Sequence, residues 1–476
     1  MVQTLARHIA VIGGGIAGLA ALHRLQAAAA SARTEPLHMT LVEATDRLGG
    51  WVRTDRWGEV LIEGGPDSFL AVKPAARALA VELGLDDELI GLRPGSEDTF
   101  IARRGRLEAL PEGFSLMIPT RLRPLLATGL LSTRGKLRLA LDLVLPPRRG
   151  EQDESLAEFV RRRLGCEAYE WIAQPLLAGI YAGDAERLSL LATFPQLREM
   201  ERQHGGLIRG TLAQRRPGQR SGSAFLTLRR GMGTLVEELA HRLHQVDLRL
   251  GEAALALAPC ESGYRITLSS GQDLDADAVL IATPAYAAAR LLEPLDQELA
   301  RLLSGIPYAS SATVTLVYQA SDVAPVARGR GVVVPAAEER EVTAVTWVAN
   351  KFEGRAPAHL APARVFLGRY GRERILELPD DRLVELALDE LRGLLGLRAE
   401  PLHAVAHRLP RSMPQYLVGH LDRLRAIEAR LARWPGLFLI GAAYRGVGLP
   451  DCIAGAEQAA RAALAAVGLD IAASTA

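Results

Sequence analysis

The spacing of apolar residues changes along the chain, and each change predicts an element. Ile9-Ala10-Val11-Ile12 is an apolar strand that runs into Gly13-Gly14-Gly15 and an Ala/Leu-rich helix, and Met39-Thr40-Leu41-Val42 is a second strand that ends on Glu43. A helix over 73–83 is stopped by Gly84, and apolar residues around a turn predict a hairpin over 100–107. Leucines interleaved with Arg121, Arg123, Arg134, Lys136 and Arg138 predict short amphipathic helices, basic on one side, over 119–147. Helices follow over 155–164, where Ser155 and Glu158 make a capping-box pattern, and over 169–177. Residues 178–184 read as a loop, and the Gly/Arg/Gln/Ser-rich stretch 205–223 as an exposed linker.

Beyond the linker come a strand at 226–228, Gly231-Met232-Gly233, a helix over 234–243, a strand at 248–250 and a hairpin around 264–269 followed by 277–282. Alternating or β-branched residues over 312–318, 331–334, 342–348 and 364–370 predict an antiparallel sheet with one face available to a ligand, closed by a helix over 380–395. A last strand at 437–440 turns through glycines into a helix over 453–467. The expected class is α/β, α+β overall. It comprises a discontinuous first domain (1–92, 224–300 and 435–476), a mostly helical subdomain (93–223) and a sheet domain (301–434).

Gly13, Gly15 and Gly18 stand in G-x-G-x-x-G spacing between strand and helix. Gly13 allows the tight turn, Gly15 lets the backbone approach a pyrophosphate beside the helix N-terminus, and Gly18 lets helix and strand pack closely. Glu43 accepts from a ribose hydroxyl and disfavours a 2′-phosphate. This is a Rossmann-like dinucleotide site, which Gly14 and Ala44 share. A second glycine turn, Arg47-Leu48-Gly49-Gly50-Trp51, and a third, Glu63-Gly64-Gly65-Pro66-Asp67-Ser68, supply backbone donors further along a cofactor than a nicotinamide enzyme needs, and so point to FAD. The passage from Gly441 through Val447-Gly448-Leu449 repeats strand, glycine turn and helix without a ribose acid, so its helix N-terminus can face the pyrimidine end of a flavin or the ribityl chain. No cysteine or histidine is set for flavin attachment, so non-covalent FAD is expected.

At 476 residues and 49% hydrophobic content the chain can bury two or three cores. A net charge of +1 gives no global pull toward nucleic acid or acidic membranes. For the basic 119–147 segment three readings stand: a solvated face, contact with a membrane surface, and steering of an acidic substrate. Cys166, Cys260 and Cys452 lack CxxC spacing, which suggests neither a disulfide framework nor a zinc site, and no metal is expected. With no leader pattern at the start and no run near the ~18 apolar residues of a spanning helix, the expected location is cytoplasmic, with peripheral contact at the inner membrane face left to the basic segment.

On these motifs the chain resembles the oxygen-dependent porphyrinogen oxidases, the FAD family of the protoporphyrinogen oxidases and the coproporphyrinogen III oxidases of haem synthesis. The likeness runs almost end to end. It rests on 13–18, 43–50, 63–68, Gly179-Ile180-Tyr181-Ala182-Gly183-Asp184, Met413-Pro414-Gln415-Tyr416 with Gly419-His420, and Gly446-Val447-Gly448-Leu449-Pro450-Asp451-Cys452. The first three, and part of the last, are shared with amine oxidases and carotene desaturases. The resemblance implies an amine-oxidase-type FAD domain with Gly13, Gly15, Ala17, Gly18, Glu43, Arg47, Gly49, Gly50, Gly65, Asp67, Ala254 and Val447 to Leu449 on the cofactor. It further implies Gly179 at the mouth of the porphyrinogen site, with Val333 and Thr346 against the macrocycle. Two positions depart from the pattern: Arg408-Leu409-Pro410 stands where the family often has a tryptophan, and Thr99 where protoporphyrinogen enzymes often have an arginine.

The reaction so implied takes hydride from the meso carbons in three two-electron rounds and passes the electrons to O₂, giving H₂O₂. It needs no catalytic side chain, and His403, His407 and His420 are expected to be satisfied surface or core residues. Coproporphyrinogen III is expected over protoporphyrinogen IX. The alternatives are a protoporphyrinogen IX oxidase proper, an amine oxidase or carotene desaturase on the same scaffold, and an FAD-holding scaffold without turnover. Lys73, Lys136 and Lys351 as the only lysines, with 5% aromatic residues, equip the chain poorly for amine oxidation. Porphyrinogen and O₂ are the expected partners, nucleic acid is not, and contact with another haem-pathway enzyme stays open.

Overall fold

In the computed structural model, which describes residues 7–31, 37–95, 98–111, 114–115, 118–119, 127–213 and 222–469, five parallel strands organise the chain. Their order across the sheet is Val246–Leu250, Leu37–Glu43, Arg7–Ile12, Ala278–Ile281 and Leu437–Leu439. The two central strands are apolar without interruption because both of their faces are covered. Ile9, Val11 and Leu280 pack under the helices Ile16–Ser31, Pro74–Glu82 and Leu449–Ala466. Ala10, Val279 and Ile281 pack under a three-stranded antiparallel sheet and the helices Ala285–Leu292 and Gln297–Ser304. Since all five strands run one way, Ile12, Glu43, Leu250, Ile281 and Leu439 end on one edge, where ligands of open α/β sheets bind.

A seven-stranded sheet forms the second body, in the order His403–Pro414, Tyr308–Gln319, Leu360–Leu367, Val342–Trp347, Gly331–Val333, Thr99–Arg103 and Arg106–Ala109. It is antiparallel except where Gly331–Val333 meets Thr99–Arg103. Val314, Leu316, Tyr318 and Val365 bury one face against the helix Asp380–Leu395. The expected hairpin is present, but it belongs to this sheet and not to the helical segment, so the boundary drawn at 93 does not hold for 99–109.

The helical body departs from expectation in three places. The capping box of Leu156–Leu164 is formed by Ser155 and Glu158, but after a π-helical turn at Tyr169–Ala173 the helix Gln174–Tyr181 runs through Gly179, so the loop starts only at Ala182, with φ +45°. Leu207–Ala213 is a helix where a linker is expected, with Leu207 and Ile208 buried; 214–221 lie outside the described residues. In the basic segment Thr133–Ala140 is helical, yet Arg138 turns inward to donate to the carbonyls of Arg161, Arg162 and Arg163, while Leu137 is exposed. Arg121 and Arg123 lie outside the described residues. No described helix is long and apolar enough to cross a membrane.

Candidate functional site

The first glycine turn sits on the carboxyl edge of the parallel sheet. Gly13, at φ +109°, donates to the Val42 carbonyl at 2.8 Å, and a Cβ at Gly18 would overlap the Gly13 carbonyl oxygen, so the helix rests directly on the turn. At Gly15 the situation is opposite: a Cβ there would meet nothing within 4 Å. The Glu43 carboxylate closes the far side, accepting from Gly14 N–H at 2.7 Å through one oxygen and from Thr45 N–H at 2.8 Å and Thr45 Oγ at 2.7 Å through the other. Ala17 is buried in the helix, and Ala44 is exposed beside Glu43. Ala254 opens the strand Ala254–Cys260, two residues after Glu252 donates to the Glu43 carbonyl at 3.1 Å.

The other glycine turns join this one through backbone contact. Gly49 N–H donates to the Gly14 carbonyl at 2.8 Å, and Gly50, at φ +57°, stands against Gly15. The Arg47 guanidinium holds the turn by donating to the carbonyls of Leu48 and Gly50. Gly65 lies on the Trp51 carbonyl so closely that a Cβ would overlap it, which carries the path onward to Pro66, Asp67 and Ser68, all half-buried. Burial alone would raise the Asp67 carboxyl, but Lys351 at 2.7 Å and the Arg364 charge hold it well below the usual carboxylate range. Gly441, at φ +114°, has only the Ala282 carbonyl oxygen at 4.0 Å from where a Cβ would be. Val447 and Gly448 lead into Leu449–Ala466, whose N-terminus, like that of Ile16–Ser31, leaves N–H groups for an anion. Open space at Gly15 and Gly441, with closed packing at Gly18 and Gly65, fits a long dinucleotide laid along one groove.

The Met413-Pro414-Gln415-Tyr416 stretch proves to be a splint. Gln415, fully buried, donates to the Tyr181 carbonyl at 2.9 Å and the Met413 carbonyl at 3.1 Å, tying the sheet to the helical body. The Tyr416 hydroxyl donates to the Ala442 carbonyl at 2.6 Å and accepts from Gly446 N–H at 2.8 Å, so one phenol pins both ends of the last glycine passage. His420 stacks on Tyr416 with centroids 4.1 Å apart, and its Nε2 lies 3.2 Å from the Tyr444 carbonyl. Burial pushes His420 down to about 4, so it is neutral at pH 7 and serves as packing.

Register fixes which residues share the face of the seven-stranded sheet opposite the helix Asp380–Leu395. Thr99 is opposite Gly331, Gly331 opposite Thr346, Thr346 opposite Arg364, and Arg364 opposite Thr315, so these five form one row on one face. Val333 stands in the next row with Ile101, Ala344 and Phe366. The helix that carries exposed Gly179 packs on the strands of Val333 and Thr346, so the three expected substrate residues are brought to one region. Arg103 shares the face of Thr99, but its guanidinium is committed to the Gly129 carbonyl and to the Trp171 ring, 5.1 Å away. His407 Nε2 lies 2.7 Å from Asp55 Oδ2 and His403 stacks on Trp57, so both are engaged with other side chains.

Two arginines were not singled out in the sequence. Arg355, 1% exposed, pairs with buried Glu63 at 3.3 Å and donates to Thr227, joining three distant segments. Burial raises the Glu63 carboxyl against the pull of Arg355. Arg364, 3% exposed, donates to the Gly65 carbonyl at 2.6 Å. The signal available was an arginine inside the otherwise apolar strand Leu360–Leu367.

Fold and groove define a flavin-containing amine oxidoreductase: the model of that family matches residues 16–464, and the chain belongs to it. Within the family it belongs with the coproporphyrinogen III and protoporphyrinogen oxidases. It is 37% identical over 454 residues to a coproporphyrinogen III oxidase of Bacillus subtilis, covering 94% of this chain and 96% of the relative. The protoporphyrinogen oxidase of Homo sapiens is 32% identical over 494 residues, covering 96% and 98%. A crystal structure from Exiguobacterium assigned as a protoporphyrinogen oxidase superposes with a TM-score of 0.86 at 35% identity, covering 95% of this chain and 98% of that one.

Proposed function

We propose that the chain is an FAD-dependent porphyrinogen oxidase of haem biosynthesis that acts on coproporphyrinogen III in preference to protoporphyrinogen IX. It removes six electrons in three rounds and delivers them to O₂ as three H₂O₂. The observation that carries this reading is the row Thr99, Gly331, Thr346, Arg364, which leads from the expected macrocycle face to Gly65 on the cofactor groove. When bound, the flavin supplies hydride acceptance and its re-oxidation by O₂.

The protein supplies position. Glu43 takes the ribose, Gly13 to Gly15 and Gly49 to Gly50 take the pyrophosphate, and Gly65 to Ser68 with Val447 to Leu449 take the ribityl chain and ring. FAD is held non-covalently. Cys452, the cysteine on the last glycine passage, is buried, and burial pushes its thiol up to about 12, so it is no nucleophile at neutral pH. The sheet face presents the tetrapyrrole without a general base; His407 Nε2, His420 and His403 are engaged with Asp55, Tyr444 and Trp57. The location is cytoplasmic, and any membrane contact falls to the basic 119–147 segment.

Mixing purified holoenzyme anaerobically with each porphyrinogen, and then admitting oxygen, tests the reading. Bleaching of bound flavin by coproporphyrinogen III, with three O₂ consumed per porphyrin formed, is expected. A flavin that neither porphyrinogen bleaches would overturn it.

A further inference from the structure

Arg364 is a buried cation that the porphyrinogen reading leaves without a task. Its residue is 3% exposed, its one hydrogen bond among the described residues runs from Nη2 to the Gly65 carbonyl, and its Nε is buried without a partner. No described carboxylate lies within ion-pair reach of it, and the Phe366 ring covers it at 4.9 Å. Opposite it on the neighbouring strand, the Thr315 hydroxyl is likewise buried and unpartnered. A guanidinium does not escape such burial by losing its proton, so the cost of an incompletely satisfied charge persists until an anion or acceptor faces it.

The surroundings say which anion. Arg364 is bonded to Gly65, the residue seated on the Trp51 carbonyl in the chain of glycine turns. The acids whose charges it feels most, Asp67 and Glu63, belong to that same segment. Protein atoms alone leave Arg364 3% exposed, so it touches neither a hydrated propionate nor the cofactor directly, and its charge acts through the Gly65 peptide and across a dry interior. Resting on the FAD assignment above, we propose that Arg364 is the electrostatic partner of the reduced flavin. A round that takes a hydride from a substrate C–H would leave a cation that sheds an N–H proton, which O₂ reduction takes up in forming H₂O₂. Bound flavin that received the hydride would carry one negative charge, and a fixed guanidinium in a dry site would stabilise that charge more than the neutral oxidised form. Arg364 thereby raises the flavin's affinity for electrons.

The test measures the bound flavin without turnover. Wild type, Arg364→Met and Arg364→Lys are compared for flavin content, for midpoint potential against reference dyes, and for the dissociation constant of sulfite, which forms an anionic adduct with the oxidised ring. Arg364→Met should keep its flavin but bind sulfite tenfold more weakly or worse, with a midpoint potential lower by about 30 mV or more, the two-electron equivalent of tenfold. Arg364→Lys should recover most of both. If Arg364→Met holds flavin with unchanged potential and sulfite affinity, Arg364 is only a clamp on Gly65 and the proposal falls. Should Arg364→Met emerge without flavin, Arg364→Gln, which keeps a donor for the Gly65 carbonyl without the charge, decides: sulfite binding tenfold weaker than wild type is expected, and unchanged binding overturns the proposal. Wild-type protein that binds no FAD would instead refute the cofactor assignment, before any variant is compared.

Discussion

Gly15 and Gly49 face each other as an isolated parallel bridge between the first two glycine turns. Backbone therefore closes one side of the first turn, while the other side, at Gly15, has nothing within 4 Å of where a Cβ would stand. Gly15→Leu should fold and melt like wild-type apoprotein yet take up no flavin colour, because its side chain fills the cofactor groove. Gly18→Val should instead lose on the order of 1–3 kcal/mol or more, because its side chain collides with the Gly13 carbonyl. Flavin absorbance and thermal melts of the two variants separate these effects, and a fully yellow Gly15→Leu enzyme would show that the groove is not where FAD lies.

Tyr416→Phe should keep the ring stacked on His420 while leaving Gly446 N–H and the Ala442 carbonyl without their shared partner. The expected cost is about 1–3 kcal/mol, felt at the last glycine passage. FAD should accordingly dissociate more readily from the variant. Titration of apoprotein with FAD measures this, and an unchanged Kd would mean that the 441–448 passage is held without the phenol.

Stability should fall on acidification through His420. Burial lowers its pKa from 6.5 to about 4, so between those values the unfolded chain binds a proton that the folded chain refuses. The unfolded state then holds more protons, and stability rises with pH across that window. This contribution is fully present above pH 6.5 and declines toward pH 4 by up to about 3 kcal/mol. His420→Gln should flatten this part of the curve of Tm against pH. A variant whose slope between pH 6.5 and 4 matches wild type would assign the acid sensitivity to other groups.

Thr99 lies on the row that leads to Thr346 and Arg364, on the face expected to meet the macrocycle. Arg103, on the same strand face, is engaged with Gly129 and Trp171 and is not free to replace an arginine at this position. Coproporphyrinogen III, with four propionates, should therefore have the higher kcat/KM, and Thr99→Arg should narrow the gap by favouring protoporphyrinogen IX. A wild-type preference for protoporphyrinogen IX of tenfold, ~1.4 kcal/mol of transition-state stabilisation, would place the chain in the other branch.

The glycine turns were legible in the sequence because each answers a local demand: a left-handed φ at Gly13, or a helix seated on a carbonyl at Gly18. Glycine in a helix misled for the complementary reason. Gly210 does not mark a linker; its missing side chain makes room for Met200, and that neighbour is visible only once two helices meet. Gly179 likewise sits in a helix. The hairpin Thr99–Ala109 announced itself through its turn, yet its partner strand, Gly331–Val333, lies far along the chain and nothing local names it. Arg364 was opaque on the same ground, since its strand shows an odd residue but not the Gly65 carbonyl that receives it.

The central sheet draws its strands from the start, the middle and the end of the chain. During synthesis Arg7–Ile12 emerges early and can pair with Leu37–Glu43, but its other neighbour, Ala278–Ile281, appears only after more than half of the polypeptide has been made. Until then an apolar strand edge stands bare, which invites chaperones or self-association. The sheet is complete only when Leu437–Leu439 has paired, and Gly441 and Gly448 follow it. Truncation before Leu437 would therefore leave Ala278–Ile281 as a bare edge and remove the last glycine passage with it.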